Sequence, residues 1–336
     1  MGVKLTDLLV KQQISFEDLK GKKIAIDASN MLYQFLSSIR QADGTPLKDR
    51  KGNITSHLVG TFSRISNLMD KGVKIVVVFD GKMPLLKVKT QEEREYKKQI
   101  AEKKFQEAKE EEDTENMYKY AKQTTRVSKE IFEETKELLI AMGIPVIQAP
   151  GESDAQISFM AEQGDVWAAA SSDQDCLVYG APRIITNLTL SQKKKLPSGA
   201  IVKTTPELIV LKETLEHLKI SQDQLLVIAI LIGTDYNDGI ARVGPKTALK
   251  LVHQYHNFDT LFSEMKADFN WKEIYAVFKS MPIMKNYQLK WSDVNIPKLK
   301  ELLVERHDFA EERVDKTLQL ITKRNEKEQS GLNKFF

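Results

Sequence analysis

Three short apolar runs, residues 23–27, 74–80 and 166–173, each finish on an aspartate: Asp27, Asp80 and Asp173. Four more acids sit at similar places. Glu152 and Asp154 follow the apolar run 144–147, Asp175 stands two residues beyond Asp173, and Asp235 follows the apolar stretch 225–233. Carboxylates gathered at one edge repel each other strongly unless a cation lies between them. An aspartate after a strand often does no more than cap the next helix. Capping accounts for two or three of these acids, not for the whole set, so the pattern points to a metal centre. The chain has one cysteine, Cys176, and five histidines, with no HExxH. An internal disulfide and a cysteine-built zinc site are excluded. Oxygen ligands suit Mg²⁺ or Mn²⁺.

The elements that must hold these acids follow from the same runs. Short, apolar and rich in β-branched residues, they predict strands buried on both faces of a parallel sheet. The carboxyl edge of such a sheet is where ligands bind. Strand and helix patterns alternate to about residue 185, so the expected fold class is α/β, a mostly parallel central sheet flanked by helices. Asp173 and Asp175, two apart in an extended segment, are expected to face the same way. Ser128 opens a clear helix with Ile131, Phe132, Thr135, Leu138, Leu139 and Met142 on its apolar face, and Gly143 ends it. Ser221-Gln222-Asp223-Gln224 matches a capping box before the apolar run to Gly233. From Pro206 onward the patterns are helical. Residues 87–125, crowded with Lys and Glu, interrupt this order just after Asp80 and read as an exposed, charge-laced helix or as partial disorder. A long polar insertion beside an active edge suits a lid or arch. Lys87 and Arg94 are about two helical turns apart and share a face that could meet a phosphate.

At 336 residues and 41% hydrophobic, the chain can bury a real core, and its net charge of +3 names no partner. Any nucleic-acid surface must be a local patch. The start lacks an apolar signal region, and the most apolar run, 225–232, is too short to span a bilayer. A soluble, intracellular protein is expected. Residues 1–6 fit the loose N-myristoylation pattern at Gly2; the favoured expectation is that this start packs on the fold.

Two further motifs suggest partners. Residues 239–250 carry Gly239, Gly244, Pro245, Lys246 and Lys250. Helices joined by such a glycine-bearing turn let backbone N–H groups approach a phosphate, and this stretch resembles the helix–hairpin–helix binders of the DNA backbone. Binding of that kind is sequence-independent and salt-sensitive. The chain ends on Gln329-Ser330-Gly331-Leu332-Asn333-Lys334-Phe335-Phe336. That Gln-x-x-Leu-x-x-Phe-Phe pattern resembles the motif by which replication and repair proteins bind a sliding clamp, with residues 323–328 as a charged tether.

Taken together, Ile26-Asp27-Ala28-Ser29, Val78-Phe79-Asp80-Gly81-Lys82, Ala149-Pro150-Gly151-Glu152, Asp173-Gln174-Asp175-Cys176-Leu177, Gly233-Thr234-Asp235-Tyr236 and the tail resemble the flap endonucleases of the XPG-like family of structure-specific 5′ nucleases. The resemblance covers essentially the whole chain. Having no basic extension after Phe336, the chain is similar to the archaeal members. The resemblance implies a PIN-like nuclease core at residues 1–258, with an arch at 82–126 and a helix-two-turn-helix at 221–257. C-terminal helices at 259–324 would pack on the core, and residues 325–336 would form a clamp-binding tail.

The activity implied is removal of single-stranded 5′ flaps at double-strand junctions, with 5′–3′ exonuclease action, in DNA replication and repair. Products would be a 5′-phosphate and a 3′-hydroxyl. By the resemblance, Asp27, Asp80, Glu152, Asp154, Asp173, Asp175 and Asp235 hold two Mg²⁺ ions, with Mn²⁺ able to substitute. Lys87 and Arg94 match the basic pair that contacts the scissile phosphate. Tyr33 matches an aromatic that stacks on the base beside the cut, and Thr55 a residue of a pocket for a one-nucleotide 3′ flap. Gly2, Arg40, Arg64 and Gly233 match further DNA contacts, joined by Glu152, Asp235, Gly244 and Lys246. Carbonyls of the 239–244 turn would hold a K⁺ ion. Gln329, Leu332, Phe335 and Phe336 would enter the groove of the clamp (PCNA). A monomer in the cytoplasm or nucleoid of an archaeon is the matching expectation.

The chain departs from the family pattern in two places. The family usually carries Glu-x-Glu where this chain has Glu152-Ser153-Asp154, and the shorter Asp154 implies action through water or a shifted metal. The arch also differs from the family's in detail. An alternative within the same chemistry is a nuclease preferring bubbles, gaps or Holliday junctions. A catalytically dead junction adaptor would be expected to have lost some of the acids, and all are present.

Overall fold

The computed structural model describes residues 3–111, 113–189, 193–195 and 201–332. Its strands are β1 Lys11–Gln13, β2 Lys23–Asp27, β3 Lys74–Phe79, β4 Val146–Gln148, β5 Ala168–Ala170, β6 Arg183–Thr186, β7 Lys193–Lys195, β8 Ile201–Lys203 and β9 Glu207–Val210. Seven of them form one sheet in the order β1-β9-β6-β5-β2-β3-β4, and β7 pairs with β8 apart from it. Strands β2 to β6 run parallel. The expected α/β class, with a mostly parallel sheet flanked by helices, is what the chain adopts.

Strand β2 is the centre of the winding. The chain moves from it to β3 and β4 on one side, then returns to β5 and β6 on the other. The order therefore reverses between β2 and β5, the kind of place where a crevice opens at the carboxyl edge. Side chains alternate between two cores. Ala25, Val76, Val78 and Ala169 enter one core, while Ile24, Ile26, Ile75, Val77, Phe79, Ala168 and Ala170 enter the other.

The sequence pattern failed at the sheet's antiparallel end. Residues after Pro206 begin not as helix but as β9, antiparallel to β6, and β1 adds an antiparallel edge strand beside it. Four-residue β9 runs straight into the helix Leu211–Leu218, so the helical period hides it. Strand β1 is Lys-Gln-Gln, exposed throughout, and carries no hydrophobic alternation to read.

The helix starts follow local chemistry. Ser128 caps Lys129–Ala141 by accepting from Ile131 N–H, and Gly143 turns the chain away at φ +78°. Ser221 and Gln224 complete a capping box before Gln222–Ile232, where residues 225–231 are all buried. The insertion forms two helices, Val88–Glu110 and Thr114–Gln123. Arg126 ties back to the first of these through Glu95 and Glu102. These are exposed pairs, screened by solvent, and they add little to stability. Thr114–Gln123 rests on Gly44, where a Cβ would come within 2.7 Å of Tyr118 Cα.

Near the C-terminus, Leu299, Leu302, Leu303, Val314, Leu318 and Ile321 complete the second core. The backbone of the last helix, Glu311–Leu332, runs through the stretch read as a tether; its Lys, Glu and Gln residues are good helix formers. Among the described residues no helix is long and apolar enough to cross a membrane. The N-terminal segment packs on the fold, with Val3 and Leu5 buried. Gly2 lies outside the described residues.

Candidate active site

Each acid is delivered by the end of an element. Asp27 closes β2 and caps the helix Ala28–Ser38, accepting from Ser29 N–H at 2.9 Å. Capping and site membership thus coexist at this residue. Asp80 follows β3, and Glu152 and Asp154 flank Ser153 at the start of the helix Ser153–Glu162. Gly81 allows these two segments to meet. Its N–H donates to Gly151 O at 2.7 Å, and a Cβ there would lie 2.0 Å from Ala149 O. Only a residue without a side chain fits so close to the neighbouring backbone.

Asp173 is not in a strand. β5 ends at Ala170, and residues 171–174 bend into the short helix Asp175–Val178. Polar Ser171 breaks the run by accepting from Asp173 N–H at 3.1 Å. Asp173 and Asp175 meet across this turn, with Asp175 N–H donating to Asp173 Oδ1 at 3.2 Å, rather than by facing the same way along a strand.

Asp154, Asp173 and Asp175 offer oxygens that all lie within 4.8 Å of one another. Asp27 and Asp80 approach one another through Ser153 Oγ, 3.0 Å from Asp27 Oδ1 and 2.7 Å from Asp80 Oδ1. Burial, with Asp80 beside it, pushes the Asp27 carboxyl up to about 7. Burial and neighbouring aspartates likewise push Asp154 and Asp175 well up. Such crowding favours protons or a cation between the carboxylates. The ligand set is hard oxygen, and Cys176 serves it as a donor, its thiol bonding Asp154 Oδ1 at 3.0 Å. These residues fit Mg²⁺ or Mn²⁺.

The arch meets the acids from the other side. Lys87, where the arch helix begins, bonds Glu152 Oε1 and lies 3.0 Å from Asp235 Oδ2, and Arg94 bonds Asp235 Oδ1. The face shared by Lys87 and Arg94 therefore meets carboxylates. Burial opposes charge on both Lys87 and Asp235. Attraction prevails: Glu152 and then Asp235 hold the ammonium well up, and Lys87 with Arg94 holds the Asp235 carboxyl below its usual range. Glu152 stands apart from the aspartate trio. Its Oε2 accepts from Tyr179 OH at 2.9 Å and Tyr236 OH at 2.6 Å, and both rings pack on Phe278.

The other positions named from sequence lie as follows. Tyr33 is exposed on Ala28–Ser38, while Thr55 is buried just ahead of Ser56–Asp70. Arg64 is half-buried. Arg40 is engaged within the protein, donating to Gly44 O at 2.7 Å and Thr125 Oγ1 at 2.5 Å. Gly233 closes its helix at φ +103°. Gly244 precedes Pro245–Gln254, and Lys246 is exposed on the first turn. Gln329 and Leu332 lie on the backbone of the last helix, their side chains outside the described residues, as are Phe335 and Phe336 entirely.

The uncharged donors were missed from sequence: Ser29, Ser153, Tyr179, Tyr236 and Cys176. A weak signal existed. Ser153 sits between two acids, Tyr236 follows Asp235, and Tyr179 lies one helical turn after Asp175.

Residues 1–101 match the family model of the XPG N-terminal domain, and residues 143–235 that of the XPG I-region. Flap endonuclease 1 of Pyrococcus abyssi is 46% identical over 325 residues, 96% of this chain and 94% of that protein. The solved flap endonuclease-1 from Methanococcus jannaschii is 43% identical, with a TM-score of 0.76 over 95% of this chain and 98% of that one. The catalytic core of Rad2, solved in complex with DNA substrate, shares the fold: TM-score 0.72 at 21% identity, over 94% of this chain and 97% of that one. The chain belongs to the XPG family of structure-specific nucleases, among its flap endonucleases of archaeal type.

Proposed function

We propose that this chain is a divalent-metal-dependent 5′ flap endonuclease and 5′–3′ exonuclease of DNA replication and repair. It cuts 5′ flaps at double-strand junctions and leaves a 5′-phosphate and a 3′-hydroxyl. The observation that carries this reading is the convergence on one sheet edge of carboxylates that close or follow β2, β3 and β5 and that border the helices Ser153–Glu162, Asp175–Val178 and Gln222–Ile232, with Lys87 and Arg94 facing them.

Asp154, Asp173 and Asp175 would hold one ion, and Asp27 with Asp80 a second, with Glu152 and Asp235 beside them. When bound, two Mg²⁺ or Mn²⁺ ions supply Lewis-acid activation of the attacking water and the scissile phosphate. Lys87 and Arg94 leave the acids to hold charge building on the phosphate oxygens. Tyr179 and Tyr236 keep Glu152 oriented through that exchange. Tyr33 stacks on a base beside the cut. Thr55 lines a pocket for a one-nucleotide 3′ flap, and Gly2, Arg40, Arg64 and Gly233 make further contacts to the DNA. The first turn of Pro245–Gln254, with Gly244 and Lys246, receives a backbone phosphate, and the carbonyls of residues 239–244 take a K⁺ ion. Gln329, Leu332, Phe335 and Phe336 dock on the sliding clamp. The enzyme works as a monomer inside the cell, where its DNA is.

Cleavage of a panel of 5′ flaps, bubbles, gaps and four-way junctions tests the reading. Mg²⁺ should support cutting of the flap above the other junctions, and EDTA should abolish it. Equal rates across the panel contradict flap preference, and cutting in EDTA contradicts the metal.

A further inference from the structure

Ser153 is 2% exposed and stands between Glu152 and Asp154. Its hydroxyl touches carboxylates from two different strand ends, Asp80 at 2.7 Å and Asp27 at 3.0 Å, and its backbone N–H donates to the same Asp80 oxygen at 2.8 Å. Ser29 closes the other side of the pair, its N–H on Asp27 Oδ1 and its hydroxyl on Asp80 Oδ2. Ser153 is not the cap of its helix. That position belongs to Glu152, whose side chain makes no cap bond. Starting a helix, Ser153 presents an N–H that has no partner within the helix. A hydroxyl carries one proton and can donate to only one carboxylate at a time, so its contact with both fixes their separation more than it neutralises them. Asp154, meanwhile, is grouped with Asp173 and Asp175 and bonded by the Cys176 thiol, leaving the Asp27–Asp80 pair to be gathered by serine.

We propose that Ser153 is a positioning residue of the metal site: its hydroxyl and amide hold Asp80 against Asp27 so that the two carboxylates face one divalent ion together. This rests on the metal reading above. A residue that orients ligands without touching the metal typically costs roughly 10- to 100-fold in metal affinity when removed.

The test compares Ser153→Ala and Ser153→Thr with the parent chain, reading Mn²⁺ binding by electron paramagnetic resonance without DNA. Tm in EDTA and flap affinity are measured alongside. Ser153→Ala should weaken Mn²⁺ binding about tenfold, with Tm in EDTA and flap affinity unchanged. Ser153→Thr, which keeps the hydroxyl, should recover most of the loss. Unchanged Mn²⁺ affinity in Ser153→Ala overturns the proposal. So does a fall in Tm, or failure to fold, without weaker Mn²⁺ binding, since that marks a structural role. A parent chain that binds no Mn²⁺ defeats the metal reading itself, and the Ser153 assignment falls with it.

Discussion

Lys87 Nζ lies 3.0 Å from Asp235 Oδ2 while also bonding Glu152 Oε1, so one ammonium at the start of the arch joins two acids far apart in the chain. Its side chain is 22% exposed, and those of Glu152 and Asp235 are 11% and 8%. A half-buried cation is thus held between two buried carboxylates. The arch therefore does more than cover the sheet edge: it supplies positive charge to it.

Replacing that ammonium tests its role in the chemical step. Lys87→Ala should lower the single-turnover cleavage rate by about 10²- to 10³-fold, the usual effect of losing one preorganised charge-stabilising group. Flap affinity should change less than about threefold, since many phosphate contacts share it. A single-turnover rate equal to the parent's would remove Lys87 from the chemistry.

Glu152 is held by two phenols on one oxygen, and Tyr179 is the one that sequence gives least reason to notice. Tyr179→Phe keeps the ring against Phe278 and removes the bond to the Glu152 carboxylate, worth roughly 1.5–3 kcal/mol, with the contact to Tyr236 OH. Single-turnover cleavage should slow by at least about tenfold on that conversion, with Tm little changed. A parent-like rate would mean that Tyr236 alone suffices to hold Glu152.

A pH effect on stability follows from His57, which is fully buried and whose Nε2 lies 3.0 Å from Glu134 Oε2. Burial pushes the imidazole below its usual value despite Glu134. In the unfolded chain it takes up a proton near 6.5. Below that pH the unfolded state binds more protons, so this contribution is present above about 6.5 and is lost as pH falls through the folded value. Tm should drop from pH 7.5 to pH 5, and the drop should be shallower in His57→Gln. An identical slope in the variant would contradict the assignment.

The central strands and the aspartates that close them were legible because a strand buried on both faces is nearly pure β-branched sequence. The Ser128 cap, the Ser221–Gln224 capping box and the Gly143 stop were legible because they are local. β1 and β9 were not, since one is short and polar and the other merges into a helix. Asp173 was assigned to a strand because Ser171-Ser172 extends the apolar run by only two small residues, and the bend comes from the Ser171 hydroxyl. That Lys87 and Arg94 face acids depends on how the arch folds back, a long-range relation invisible in spacing. The donors Ser29, Ser153 and Tyr179 were hidden for the same reason: a hydroxyl acquires a role only from what the fold sets against it.

The C-terminal pattern carries its own prediction. A chain lacking residues 329–336 should cut flaps at the parent rate yet lose stimulation by a sliding clamp. Stimulation that survives the deletion unchanged would take the clamp contact away from Gln329, Leu332, Phe335 and Phe336.

The most direct measurement is anomalous scattering from a crystal soaked in Mn²⁺. The expected result is two peaks, one bounded by Asp154, Asp173 and Asp175 and one against Asp27 and Asp80, each within about 2–2.6 Å of carboxylate oxygens. No peak within reach of any of these oxygens at saturating Mn²⁺ would contradict a metal-dependent nuclease at this edge of the sheet.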